Sequence, residues 1–456
     1  MKNKAFYRRA LTIAVPMMIQ NGITQFVGLL DNMMVGRIGT DAMSGVAIVN
    51  QLIMVWNLMI FGGLSGIGIF TAQFYGKNDR KGLRYTFRLM MQLSVLLLLT
   101  GLGIFFFFST PLISLYLYQD GGIGDPAMTL QFANRYLSVM LLGFLPFIIT
   151  QVYTTILKST GETVVPMRAS LTAVVVNLIG NYVLIYGKLG FPKLGVAGAA
   201  AATVAARFVE MGFLVIWTQY RKERFTWLQG AFRSLYVPVS LLKNVGAKTI
   251  PLMLNETLWA GGQAALTQCY AYMGLSVVAA FNISSTVSNV FCVAFIAMGA
   301  AIGIILGQEL GQGNTETIQQ MARRLTWFSV FLCTITAVLM LLMSGIIPQV
   351  YNTSPDIRAL ATTMLRITAL TMPIDAYANA AYFTLRSGGK TFITFLFDSC
   401  FSWVCTVPAA FFLTRYSGLP FPAIYAIVLA LPLIKCLIGS AMVRRGIWIN
   451  DITEYS

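Results

Sequence analysis

Three carboxylates lie inside apolar stretches of this chain: Asp31, Glu256 and Asp375. Glu256 stands five residues after Pro251 and Asp375 two after Pro373, with no Lys or Arg adjoining either in sequence. An acid on a helix that crosses lipid is expensive, and it is read first as part of an ion or substrate path. Held out of bulk water, such a group can load and release a proton or a small cation. Asn177 and Asn181 are four apart, so on a helix they share one face and offer amide oxygens. Asn21, Thr24, Gln25, Gly28, Asp31 and Asn32 recur at spacings of three and four and form one polar stripe. Gln263 and Thr267 follow Glu256 at helical spacing. Arg207 and Glu210, three apart, point instead to a structural pair, with each other or with a neighbour.

Catalysis fits these residues poorly. The chain has no histidine, the commonest general base and metal ligand. No nucleophile constellation accompanies the acids. Gly62, Gly63, Gly66 and Gly68 lie inside an apolar helix, with no preceding strand and no following Lys-Ser/Thr, so they favour close helix packing over phosphate binding. The six cysteines, Cys269, Cys292, Cys333, Cys400, Cys405 and Cys436, all fall in apolar runs and read as small core residues. An intramembrane enzyme is therefore the remotest reading, and no cofactor is expected.

The elements that must position these residues are membrane helices. Of 456 residues, 57% are hydrophobic and 11% charged, with a mean hydropathy of +0.72; a soluble domain carries roughly twice that charged share. The apolar residues come in blocks long enough to span a bilayer. Twelve spans are predicted, at 10–38, 43–74, 86–108, 130–157, 164–187, 194–218, 244–272, 276–309, 318–346, 356–386, 391–415 and 420–445. The first is too long for a cleaved signal and lacks a small-residue cleavage site. The net charge of +16 is distributed as topology rather than as a nucleic-acid surface. Most Lys and Arg lie at the N-terminus, 77–88, 158–168, 221–248, 323–324, 386–390 and 435–445. By the positive-inside rule both termini and the central polar stretch are cytoplasmic, in a multi-pass protein of the cell membrane.

The chain repeats itself. Shifted by 235, Pro16-Met17-Met18-Ile19-Gln20 meets Pro251-Leu252-Met253-Leu254-Asn255, and Gln73 and Gly76 meet Gln308 and Gly311. Shifted by 228, Leu157-Lys158-Ser159 meets Leu385-Arg386-Ser387, and Arg207 meets Lys435. Six spans per half is an even number, so both halves cross in the same direction. The expected fold is all-α and polytopic: two six-helix lobes related by a pseudo-two-fold along the membrane normal. Residues 1–220 form the N-lobe, 221–243 a cytoplasmic linker and 244–456 the C-lobe. The acids are not copies of one another, because Glu256 meets Asn21, Asp31 meets Leu266 and Asp375 meets Phe147.

This plan resembles the MATE family (multidrug and toxic compound extrusion), and NorM-like or DinF-like prokaryotic members in particular. Its carriers are Leu30-Asp31-Asn32 followed by Gly36 and Gly39, Gln73 and Gly76 at the end of the second span, and Gly195, Gly198, Ala199, Ala200, Ala202 and Thr203 opening the sixth. Asp375 also stands eleven residues before Arg386, as in NorM-like members. The resemblance implies an efflux antiporter that exports cationic, amphipathic compounds in exchange for protons or sodium. It maps Asp31, Asn177, Asn181 and Thr203 onto an N-lobe cation site, with sodium at Asp31, Asn177 and Asn181. It maps Glu256 and Asp375 onto a C-lobe site. The partners implied are lipid and small cationic substrates, no nucleic acid, and a monomeric chain. Position 181 is Asn where some members have Asp. A flippase for lipid-linked saccharides is the nearest rival, and it would call for a cavity rich in Arg and Lys.

Overall fold

The computed structural model describes residues 3–117, 125–225, 227–351 and 353–454, with the side chains of Asn3, Leu29 and Asn32 outside the described set. Among the described residues the regular structure is helical and no strand occurs. Ten helices among the described residues are long and apolar enough to cross a bilayer. They are α1 (Asn3–Gly36), α2 (Thr40–Gly76), α3 (Arg80–Ser114), α4 (Pro126–Ser159), α5 (Val164–Tyr186), α6 (Val196–Tyr220), α8 (Leu275–Gly311), α9 (Thr315–Met343), α11 (Thr391–Tyr416) and α12 (Phe421–Arg444). Two further long helices, α7 (Val239–Ala271) and α10 (Pro355–Ser387), are less apolar because they carry Lys243, Lys248 and Glu256, and Arg366, Asp375 and Arg386. The predicted spans and these helices correspond one to one.

Local chemistry sets several helix ends. Asp125 caps α4, accepting from the Ala127 amide at 2.9 Å, with Pro126 at the first helical position. Ser354 and Pro355 open α10 in the same manner. Gly187 ends α5 in the left-handed region, at φ 67°. Inside α11, Leu396–Cys400 and Ser402–Thr406 are wound as π-helix, a local widening often found at functional positions.

The helices pack into two compact units. One comprises Met1–Met18, Ile69–Asp79 and Lys243–Ser456; the other comprises Ile19–Gly68 and Arg80–Leu242. Helices α1 and α2 are thus shared between units. The reason for α1 is apolar packing: Phe6, Ala10, Ile13, Ala14 and Met17 join Ala297, Ala301, Ile305 and Leu310 of α8 in one buried cluster. Pro16 lies within α1 close to the point where the unit changes.

Within the first unit the ends of α2 and α8 cross at backbone contact. A Cβ on Gly76 would lie 1.9 Å from the Gln308 carbonyl oxygen, and one on Gly311 would lie 1.9 Å from that of Gln73. These are the residues that the 235 shift superposes, so the repeat meets itself here. The chain after α12 then straps this crossing. Gln73 donates to the Asn450 carbonyl at 3.2 Å and accepts from the Ile452 amide at 3.0 Å, and it also donates to the Ser387 carbonyl at the end of α10. Lys77 Nζ lies 3.3 Å from Asp451 Oδ2, and Trp448 is fully buried.

Two outcomes are expected. Gly76→Ala or Gly311→Ala should destabilise by about 1–3 kcal/mol through overpacking against backbone. Gly103→Ala, whose Cβ meets open space, is the control. Melting curves of the purified variants decide this, and equal midpoints would contradict it. The second outcome concerns the strap. Partial burial raises the Asp451 carboxyl, but the Thr453 hydroxyl and amide and Lys77 outweigh it and hold the group below its ordinary value. A depressed carboxyl stabilises above its unfolded pKa, and the benefit is lost as pH falls through the folded value. Hydrogen-exchange protection of the Ile452 and Thr453 amides should therefore persist at neutral pH and fail only below the usual carboxylate range. Asp451→Asn should abolish that acid step.

Candidate cation sites in the two halves

The first site starts from small residues. A Cβ on Gly198 would lie 2.5 Å from the Leu184 carbonyl oxygen, and one on Gly180 would lie 2.9 Å from the Ala202 Cβ. This lets the α5 and α6 backbones approach closely. The approach brings Asn177 Nδ2 to 3.1 Å from Thr203 Oγ1, which itself donates to the Ala199 carbonyl. Asn181 Nδ2 donates to Asn177 Oδ1 at 3.3 Å and to Asp31 Oδ1 at 2.6 Å. The second bond is short for an amide donor. Tyr186 fixes α1 nearby, donating to the Met34 carbonyl at 3.1 Å. Asp31, Asn177, Asn181 and Thr203 therefore form one continuous chain of hydrogen bonds.

Asn177 is 6% and Asn181 1% exposed, while Asp31 keeps partial access. The Asn181 Oδ1 is buried and accepts no hydrogen bond. An orphaned buried carbonyl costs about 1–3 kcal/mol. The other oxygens of the bonded chain belong to a carboxylate, a second amide and a hydroxyl, and a turn of the Asn181 amide would bring its own oxygen to them. That all-oxygen set suits a hard monovalent cation and not a soft metal. No group of three or more metal-ligating side chains occurs among the described residues.

The second site lies in the other unit. Glu256 is half-buried, and the charges acting on it are Arg386 and Asp398. Asn255, next to it, holds α7 to α11: its Nδ2 donates to Asp398 Oδ2 and to the Tyr382 hydroxyl, both at 3.3 Å. Ser399 Oγ returns a bond to Asn255 Oδ1 at 2.7 Å. Lys435 of α12 pairs with Asp398 Oδ1 at 3.0 Å. Arg386 donates to the Tyr382 hydroxyl at 3.4 Å.

Asp375 sits two residues past Pro373, where the ring disturbs the helix ladder. Two thiols occupy backbone carbonyls there: Cys333 Sγ lies 3.4 Å from the Met372 oxygen, and Cys436 Sγ lies 3.3 Å from that of Ile374. Lys435, Cys292, Cys333, Cys436 and Tyr425 share its electrostatic surroundings.

Here the sequence expectations need correction. The acids of the second half have no basic neighbour along the chain, but folding brings Arg386 to Glu256 and Lys435 to Asp375. Asp398, Asn255 and Tyr382 were not singled out. Asp398 carried the same signal as Asp31, an acid inside an apolar span. Three cysteines read as core filling stand around Asp375, and all six thiols are free. Among the described residues Arg207 and Glu210 form no direct ion pair. Glu210 accepts from Ser170 Oγ at 2.5 Å, and Arg207 reaches the Gly143 carbonyl at 3.3 Å and lies over the Phe147 ring. Their role stays within helix packing.

Similarity searches agree with this architecture. The MatE family model matches residues 16–183 and 251–412, one block in each half. The chain is 25% identical over 417 residues to the probable multidrug resistance protein NorM of Thermotoga maritima, covering 90% of this chain and 86% of the relative. It is 24% identical over 422 residues to the multidrug resistance protein MdtK of Pectobacterium atrosepticum, covering 89% and 87%. Among solved structures, a MATE crystal structure in the bent conformation superposes with a TM-score of 0.86 at 18% identity, over 97% of this chain and 95% of that one. An outward-facing multidrug resistance MATE transporter superposes at 0.85 with 19% identity, over 96% and 95%. At such identities the superpositions speak for the fold. Twelve helices in two repeats, with a family match in each half, make this chain a multi-pass membrane transporter of the MATE family.

Proposed function

We propose that this chain is a secondary active antiporter of the cell membrane that exports cationic, amphipathic compounds, drugs or toxic compounds among them. Protons or sodium drive it by alternating access, and both termini lie in the cytoplasm. The observation that carries the reading is the Asp31 centre: a carboxylate, two buried amides and a hydroxyl in one bonded chain, with an amide oxygen left over. A cation entering it gains ligands that are already paid for by the fold. Glu256 and Asp375 supply the corresponding acids of the second half. The coupling ion is cargo, so the account calls for no cofactor, and one chain suffices. Relatives named as multidrug resistance proteins support the substrate class.

The mechanism is differential affinity. A coupling ion or a drug shifts the protein toward whichever arrangement binds it more tightly. Drug and ion compete for the same acids, or for the states those acids select. A flippase for anionic lipid-linked cargo fits less well, because Glu256, Asp375 and Asp398 outnumber Arg386 and Lys435 around the second site.

Vesicles reconstituted with the protein should expel a fluorescent organic cation when a proton or a sodium gradient is imposed. Asp31→Asn, Glu256→Gln or Asp375→Asn should each lower the gradient-driven rate. Full transport by all three would remove the coupling, and no efflux under either gradient would remove the antiporter. The two amides should also differ in weight. Both substitutions delete the bond the two amides share; Asn181→Ala also deletes the bond to Asp31, worth about 1.5–3 kcal/mol to an ionised carboxylate, and Asn177→Ala the neutral bond to Thr203, worth about 0.5–1.5 kcal/mol. Melting curves should rank Asn181→Ala as the more destabilised, and the reverse order would contradict the assignment of Asp31 as an ionised acceptor.

A further inference from the structure

The repeat exposes a difference between the halves that the transport reading leaves unused. The 228 shift superposes Ser170 on Asp398, Arg207 on Lys435 and Lys158 on Arg386, and the 235 shift superposes Gln20 on Asn255. In the first half Gln20 Nε2 donates to Ser170 Oγ at 2.7 Å, and that hydroxyl donates to Glu210. In the second half the same link, Asn255 to position 398, ends on a carboxylate that is paired with Lys435. Asp398 lies in a π-helical turn, Leu396–Cys400, whereas the stretch around Ser170 is ordinary α-helix. A wider turn, an acid and an ammonium have been placed where the first half has a plain hydroxyl and a guanidinium on a backbone carbonyl.

A second acid, Asp375, lies within electrostatic reach of Lys435 on the neighbouring helix. Cys436, its neighbour in sequence, is bonded to the carbonyl of Ile374, the neighbour of Asp375. That bond holds the α12 turn carrying Lys435 against the α10 turn carrying Asp375, within one unit. The ammonium lies 5.2 Å from the Phe401 ring centroid and 6.0 Å from that of Phe397, with a side chain only 13% exposed. Lysine carries a compact charge on a flexible four-carbon stem, so it can change acceptor without moving its helix. The acids around the site, Glu256, Asp375 and Asp398, outnumber the bases, Arg386 and Lys435, by one, a balance that one bound monovalent cation would close.

We propose that Lys435 is a positioning residue shared between Asp398 and Asp375, resting on Asp398 while Asp375 is neutralised by a cation and turning to Asp375 as that cation leaves. Asp398 is then the parking place that keeps the ammonium from holding Asp375 permanently. The proposal rests on the reading that Glu256 and Asp375 exchange a cation. The other titratable groups within electrostatic reach of Asp375 are Cys292, Cys333, Cys436 and Tyr425, and those within reach of Asp398 are Glu256 and Tyr382, with Asn255 bonded to it.

The test is ion binding by the purified full chain, followed as radioactive sodium bound and as proton uptake from weakly buffered solution. Lys435→Met with Asp398→Asn removes one charge of each sign, leaves the charge balance of the site unchanged, and should tighten binding of the coupling ion about tenfold, the equivalent of one pKa unit, because no ammonium then competes for Asp375. Asp398→Asn alone frees Lys435 for Asp375 and should loosen binding several-fold, the opposite sign. Lys435→Arg should stay within about threefold of the parent, because the charge is kept. In an Asp375→Asn background the double change should have no further effect. A folded double variant with unchanged binding overturns the proposal, and so does an equal effect when Asp375 is already Asn. If the double variant does not fold, Asp398→Asn decides alone, and unchanged or tighter binding overturns the proposal. A parent chain that binds neither ion overturns the exchange reading itself, and a parent that binds while the variants do not differ overturns only the role of Lys435.

Discussion

An ionisable oxygen inside a hydrocarbon slab has to be met by another group, and here the bond from Asn181 to Asp31 meets it. Left alone, the carboxylate would cost several kcal/mol and would neutralise itself. The bond exists only because α5 lies against α6 closely enough to put Asn177 and Asn181 in line with Thr203. That closeness depends in turn on Gly180 and Gly198, where any side chain would strike the partner helix. Packing of small residues, register of two amides and tolerance of a buried acid are thus one arrangement. Each part would be unfavourable without the others.

The second half solves the same problem with charge. Its acids are met by Lys435 and Arg386, and Asn255 ties two helices to the carboxylate of Asp398 and the hydroxyl of Tyr382. A repeat with two solutions is informative, because folding alone would be served by one. The shared parts are those that packing requires, including Gly76 and Gly311 at the α2–α8 crossing, Gln73 and Gln308 beside them, and a base at 207 and 435. The parts that differ are the acids. The divergence is concentrated where a transported cation would be felt.

Much of this was legible in the sequence for physical reasons. Spanning a bilayer demands about twenty apolar residues in a row, so the helices announce themselves. The i, i+4 amide pair at 177 and 181 followed from helical spacing, and Asp31 from the cost of its position. Thr203 was reached only through a family resemblance, since nothing about one threonine in an alanine-rich helix marks it. Asp398, Lys435 and Asn255 lie on three helices far apart in the chain, and no periodicity links them. The same limit hid the basic residues that fold back on Glu256 and Asp375. It also hid the thiols on the carbonyls around Pro373. The sharing of α1 between units depends on tertiary packing of Phe6, Ile13 and Met17, and that of α2 on its backbone crossing with α8 at Gly76, neither of which a linear reading of halves contains.

The central claim is that a larger cation and a small one exchange at the same buried acids. It is tested most directly at equilibrium, without a gradient, by adding a cationic amphipathic compound to the purified protein in weakly buffered solution and recording protons or sodium set free. The account predicts release in step with occupancy, and none from a chain in which Asp31, Glu256 and Asp375 are all amidated. Tight binding of the compound by the parent chain with neither ion released would contradict it.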